Sequence, residues 1–131
     1  MRFEEITKDT EIRASVRHKD YAISNVKEFP VQDQRIFAVI TDGREISVIA
    51  EADLELDYIS QEKPLRIISF DTKLPFDLIG FLAYITKLLA DQDISIFALS
   101  AFSTDHLFMK EKYLERAVEV LKENGVIIEV E

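Results

Sequence analysis

Side chains able to do chemistry are few in this chain. It has no cysteine and only two histidines, His18 and His106, so disulfides, thiolate zinc sites, cysteine nucleophiles and a histidine-rich metal site are excluded. Three glycines leave no glycine-rich phosphate loop, and no serine, histidine and acid stand where the sequence would assemble a triad. No catalytic residue, no metal and no cofactor is expected. What remains is chemistry of recognition. A helix expected from Leu78 to about Gln92 offers unpaired N–H groups and partial positive charge at its start, which suit the α-carboxylate of an amino acid. Gly80, in its first turn and without a Cβ, either lets a ligand approach the backbone or serves close helix-to-sheet packing. Asp105, at an expected hairpin turn, either takes an α-ammonium or basic side chain or caps the Ser103-Thr104 turn. His106 reads as a hydrogen-bonded structural histidine, Asp77 as an N-cap, and Phe81 and Tyr84 as core or interface. Glu51, Asp53, Glu55 and Asp57, spaced by two, read as a solvated edge rather than a cation site.

Those residues need elements to hold them. The tightest stretch is Ile94-Ser-Ile-Phe-Ala-Leu-Ser-Ala-Phe-Ser-Thr-Asp-His106, an apolar strand and small polar turn leading into the strand-like Leu107-Phe-Met-Lys110. Before it, Leu65-Arg-Ile-Ile-Ser-Phe70 is apolar on both faces and should be covered on both. The helix between them carries two stripes. Ile79, Leu82, Ala83, Leu89 and Ala90 are expected to face the sheet, and Phe81, Tyr84, Ile85 and Leu88 call for a second cover from the first half of the chain, another subunit, or both. A second helix, Glu111 to Asn124, has the stripe Leu114, Ala117, Val118 and Leu121, stops at Asn124-Gly125 and leads into the strand Val126–Val130. The order strand, helix, strand, strand, helix, strand is a split βαβ, or ferredoxin-like, module.

The first half is thinner in signal. Residues 1 to 20 are polar, with Ile6, Ile12 and Val16 as aliphatic anchors beside Ala14, and read as an edge or a frayed start. Tyr21–Val26 alternates like a strand. Ile36–Thr41 and Arg44–Ala50 flank Asp42-Gly43, which predicts a hairpin with a two-residue turn. Glu51–Asp57 reads as a short helix or turn, and Pro64 closes the half. The predicted domains are residues 1–63 and 64–131.

Composition narrows the function classes. Of 131 residues 47% are hydrophobic and 31% charged, as in a globular protein that folds unaided. The net charge of −9 opposes nucleic-acid binding. The charged start and the lack of a long apolar window predict a cytoplasmic protein without a membrane partner.

Phe76-Asp77, Gly80-Phe-Leu-Ala83, Leu89-Ala90, Ile94-Ser-Ile-Phe, and Ser100-Ala-Phe-Ser-Thr-Asp-His106 with Lys110 resemble the small tandem ACT-domain proteins, a family similar to the cytosolic arginine sensors of animal growth signalling. The resemblance covers about residues 35 to 125. It implies an α+β fold of two ferredoxin-like (ACT, βαββαβ) units packed side by side, with antiparallel sheets and helices on one face, the first unit divergent. It also implies a non-catalytic regulatory module, a homodimer, that binds a small-molecule amino acid at an interface between ACT units. Its ligand residues carry over to Leu78, Ile79, Gly80 and Leu82 at the helix start and to Ala101, Phe102, Thr104 and Asp105 at the strand end. Aliphatic Leu78 and Ile79 stand where the arginine sensors have acidic or small polar residues, which favours a smaller or more apolar amino acid. The alternative is a protein-interaction or oligomerisation module with a vestigial pocket.

Overall fold

The computed structural model describes residues 2–3 and 11–131; Ile6, one of the expected anchors, lies outside them. The strands are β1 (Arg13–Val16), β2 (Tyr21–Val26), β3 (Ile36–Thr41), β4 (Ile46–Glu51), β5 (Ser60–Phe70), β6 (Phe97–Ser100), β7 (Asp105–Lys110) and β8 (Ile127–Val130). Two α-helices among the described residues, α1 (Phe81–Ala90) and α2 (Leu114–Glu123), make the fold mixed α+β. The second half follows the expected order, β5-α1-β6-β7-α2-β8.

Two compact units emerge, one of Lys19–Arg66 and one of the described residues up to His18 together with Ile67–Glu131. This division differs from the expected boundary at 63/64. The reason lies in β1, whose Ala14, Ser15 and Val16 pair with Phe70, Ser69 and Ile68 of β5 while the same strand pairs along β8. That pairing ties the start of the chain to its C-terminal part. Pro64, expected to close the first half, instead lies within β5. The register of β2 against β5 shifts between Tyr21 and Ile23, opposite the proline region, and such an irregularity accommodates a residue with no N–H for the ladder.

In the unit Lys19–Arg66 the strand order is β3-β4-β2-β5, all antiparallel, and no residue is α-helical. Val26, Val48 and Ala50 are buried, with Ile36, Ile46, Leu54 and Leu56 packed against them. The β3–β4 hairpin forms, but Thr41 pairs with Ile46, so the loop has four residues rather than two. Asp42 is the cause: its Oδ1 accepts the N–H groups of Arg44 (2.8 Å) and Glu45 (3.1 Å), which holds those residues in the turn.

In the other unit β6 pairs β7, β7 pairs β5, β5 pairs β1 and β1 pairs β8. The last pair is parallel, so the sheet is not wholly antiparallel as expected. β1 runs antiparallel to β5 and lies between it and β8, which pairs with β1 in the same direction. Ala14, Val16, Ile68, Phe70, Leu107 and Met109 form one apolar sheet face, and Phe81, Ile85 and Leu89 of α1 pack on it with Ala117, Val120 and Leu121 of α2. Leu65, Ile67, Ile68 and Phe70 are all buried, which meets the expectation of a β5 end covered on both faces. On α2 the residues Leu114 and Val118 are half-buried, and the deepest face is rotated toward Val120.

The faces of α1 come out differently from the reading of the sequence. The buried set is Phe81, Ile85 and Leu89 at i, i+4 and i+8, while Ala83, Tyr84 and Ala90 are exposed. Ile79 precedes the helix. A phenylalanine and an isoleucine bury far more apolar area than the two alanines of the competing stripe, so the helix turns the larger side chains inward. The Phe81 ring meets Phe70 edge-on at 5.2 Å and Phe3 at 5.2 Å.

Among the described residues no helix is long and apolar enough to cross a membrane. Ile85→Ala, at a fully buried position, should cost roughly 2–5 kcal/mol in urea unfolding, whereas Ala90→Glu on the exposed side should change stability by less than about 0.5 kcal/mol. Equal losses at the two positions would refute this orientation of α1.

Candidate functional site

A cleft of about 420 Å³ opens beside the start of α1, within the few hundred Å³ usual for small-molecule sites. Three pieces of chain line it: Leu74, Pro75, Phe76 and Leu78 from the loop after β5, Gly80 to Ala83 from the helix start, and Ser100 to Asp105 from the β6–β7 hairpin.

The helix begins three residues later than expected because the chain turns twice before it. Leu78 N–H donates to the Pro75 carbonyl at 3.1 Å. Ile79 is then held by its backbone, its carbonyl accepting Phe3 N–H at 2.8 Å and its chain bridging Arg2. Gly80 is the N-cap, with φ +96°, and no side chain caps the helix. Asp77, the expected cap, sits in the preceding turn and is exposed. A Cβ at residue 80 would meet nothing within 4 Å. The glycine therefore answers a left-handed backbone and not close packing. Tyr84 N–H closes the first turn on the Gly80 carbonyl at 3.0 Å. Without a side-chain cap, the N–H groups of the first turn are left for whatever enters the cleft.

The opposite wall is the loop Ala101–Thr104. Ser100 pairs with Asp105 across the hairpin, and the Ser100 hydroxyl donates to Asp105 Oδ1. Ala101 N–H donates to the Thr104 carbonyl at 2.8 Å. Asp105 is thus fixed by its cross-strand neighbour, not by capping the Ser103-Thr104 turn. At the cleft the Phe76 and Phe102 rings stack with centroids 5.9 Å apart and planes at 27°, although each side chain is 85% exposed. Together the two rings form a contiguous exposed apolar patch at the cleft.

Behind the hairpin, His106 is buried. Its Nδ1 lies 2.8 Å from Ser69 Oγ and its Nε2 lies 3.3 Å from Thr104 Oγ1. Burial pushes its pKa below the ordinary 6.5, the Arg17 charge adds to this, and Asp105 and Asp71 pull the other way. The expectation of a hydrogen-bonded structural histidine agrees with these contacts.

Of the eight expected ligand residues, Leu78, Gly80, Leu82, Ala101, Phe102, Thr104 and Asp105 line the cleft and Ile79 does not. Sequence reasoning passed over Phe76 and Ser100 as site residues. Phe76 could have been noticed as a lone aromatic between Pro75 and Asp77, and Ser100 follows from the hairpin register opposite Asp105. Ser69 gives no such signal, because its relation to His106 arises only when β5 and β7 pair.

Residues 60–123 match the family model of the ACT domain. The chain carries an ACT domain. No curated protein matches it in sequence. Among solved structures, the fold is similar to an Agobacterium tumefaciens protein at TM-score 0.80 and 20% identity, over 93% of this chain and 95% of that one. A Vibrio cholerae protein of unknown function matches at TM-score 0.68 and 18% identity, over 86% and 89%. The regulatory subunit of aspartate kinase from Thermus thermophilus matches at TM-score 0.61 and 11% identity, over 84% and 94%. At these identities the likeness is one of fold. The ACT-domain match spans β5, both helices and the β6–β7 hairpin, and therefore includes all three walls of the cleft.

The buried histidine gives this ACT domain a pH dependence with a definite sign. The unfolded chain protonates His106 near 6.5 and the folded chain only at lower pH. Its neutral form thus contributes stability that is complete above about 6.5 and is lost as pH falls from there toward the folded value. Thermal unfolding between about pH 7.5 and 5 should show His106→Gln with a shallower fall in Tm than wild type; parallel curves would contradict this.

Proposed function

We propose that the chain is a non-catalytic regulatory module whose ACT domain binds an α-amino acid with an apolar or aromatic side chain in the cleft at Gly80. The observation that carries this reading is the pairing, across one cleft, of an uncapped helix start with a fixed carboxylate. The first-turn N–H groups suit an α-carboxylate, and Asp105 suits the α-ammonium. Leu78, Leu82, Phe76 and Phe102 leave the remainder of the ligand an apolar surface. Arginine fits poorly, since Asp105, the one acid among the lining residues, is already used for the ammonium.

The exposure of Phe76, Phe102 and Tyr84 supports a homodimer in which a second copy covers the cleft, so that the ligand lies at an interface between ACT units. Burying one such side chain contributes about 1.5–3 kcal/mol to association. The relatives described as regulatory parts of aspartate kinase support regulation rather than catalysis as the domain's task. A cytoplasmic setting agrees with ligands of this kind. The same exposed rings favour a second reading, in which the face serves assembly alone and the pocket is vestigial.

Thermal-shift measurement against the twenty amino acids separates the two. A ligand at about 100 times its dissociation constant adds about 2.7 kcal/mol, so leucine, isoleucine or phenylalanine should raise Tm selectively and Asp105→Asn should abolish the rise. A flat response to all twenty, with Tyr84→Asp dissociating the oligomer, would leave assembly as the function.

A further inference from the structure

Four side chains form a chain that starts at half-buried Arg17, passes through buried Ser69 and His106 and ends at Thr104 on the cleft, all within the unit Ile67–Glu131 with the described residues up to His18. Arg17 Nε lies 3.5 Å from Ser69 Oγ, Ser69 Oγ 2.8 Å from His106 Nδ1, and His106 Nε2 3.3 Å from Thr104 Oγ1. Ser69 is 4% exposed and His106 9%, so water cannot readily substitute in the chain. The chemistry of the first member sets the direction of the rest. A guanidinium only donates, so Arg17 takes a lone pair of Ser69. Among the described residues the Ser69 hydroxyl has, besides Arg17, only His106 Nδ1 within reach. The serine proton therefore goes to Nδ1, and a neutral imidazole that accepts at Nδ1 carries its own proton at Nε2. That N–H donates to Thr104 Oγ1. The threonine oxygen is then an acceptor inward, and its hydroxyl proton is left for the cleft that Thr104 lines.

We infer that Arg17, Ser69 and His106 are positioning residues that hold the Thr104 hydroxyl as a hydrogen-bond donor toward the cleft, where it binds the carboxylate of the ligand opposite the first turn of α1. This rests on the amino-acid reading above and adds to it a selection rule. The ligand group beside Thr104 is an acceptor, and the ammonium goes to the neighbouring Asp105. Adjacent residues of one hairpin thus present a donor and an acceptor, which sets the order of carboxylate and ammonium along the cleft. The neutral state that burial imposes on His106 is the state the chain of bonds requires.

Two measurements on the full chain test it. With only two histidines, the imidazole nitrogens are readily assigned by NMR. At about pH 7.5, above the ordinary histidine value, His106 should be the Nε2–H tautomer in the free protein, and Ser69→Ala should remove that bias. The second measurement is calorimetric binding of L-leucine and L-phenylalanine. Thr104→Val should weaken binding about tenfold or more, the loss expected for a hydrogen bond to a charged group, and Thr104→Ser should keep most of the affinity. Ser69→Ala should weaken binding in the same direction, and the double variant Ser69→Ala/Thr104→Val should be no weaker than Thr104→Val alone, because the buried serine acts only through the threonine. An Nδ1–H tautomer, an unaffected Thr104→Val, or additive losses in the double variant would overturn the inference. If neither amino acid binds wild type, the carboxylate role falls with the amino-acid reading, and the tautomer spectrum distinguishes that result from an unformed chain of bonds.

Discussion

The packing of the Phe81, Ile85 and Leu89 face of α1 onto β5 is the constraint from which the site follows. Phe81 sits in the first turn and meets Phe70 edge-on at 5.2 Å, so the helix cannot rotate without pulling an aromatic ring out of the core. With that rotation set, Leu82 and Ala83 face the cleft and Tyr84 faces outward. The residue before Phe81 must then turn the chain sharply, and at φ +96° a glycine does so without the penalty any side chain would incur. Core packing and site geometry are thus joined at two consecutive residues, Gly80 and Phe81.

The cleft is built from buried and exposed pieces. The helix start and the β6–β7 hairpin are anchored by buried neighbours, Phe81 on one wall and His106 on the other, and these hold the groups proposed above to meet the charged ends of a ligand. Phe76 and Phe102 stand on loops, are mostly exposed, and touch mainly each other. Such a pair can separate at little cost to the core, since neither ring contributes to it.

Where the sequence was read correctly, the signal was local and strong. The β5-α1-β6-β7-α2-β8 order, the stop of α2 at Gly125 and the two-sided burial of Leu65 to Phe70 follow from hydrophobic periodicity and from turn residues acting on their neighbours. Where the reading went astray, two local signals competed. Both stripes of α1 obey helical spacing, and only the sheet decides between them by taking the bulkier side chains. Asp77 is a plausible cap until the backbone closes Leu78 on Pro75 and moves the helix start to Gly80. Asp42-Gly43 promised a two-residue turn, but the aspartate carboxylate gathered two further N–H groups into the loop.

By itself the sequence determined the mixed α+β class, the likeness to ACT domains and half of the fourteen residues that line the cleft, because side-chain period and turn chemistry act over a few residues and need no partner. Tertiary structure decided the parallel β1–β8 pair, the assignment of the chain's beginning to the C-terminal unit, and the line from Arg17 through Ser69 and His106 to Thr104. Each of these depends on strands more than thirty residues apart coming side by side. Strand pairing across such distances leaves no periodic trace in either partner, for each segment looks the same alone as it would in another register.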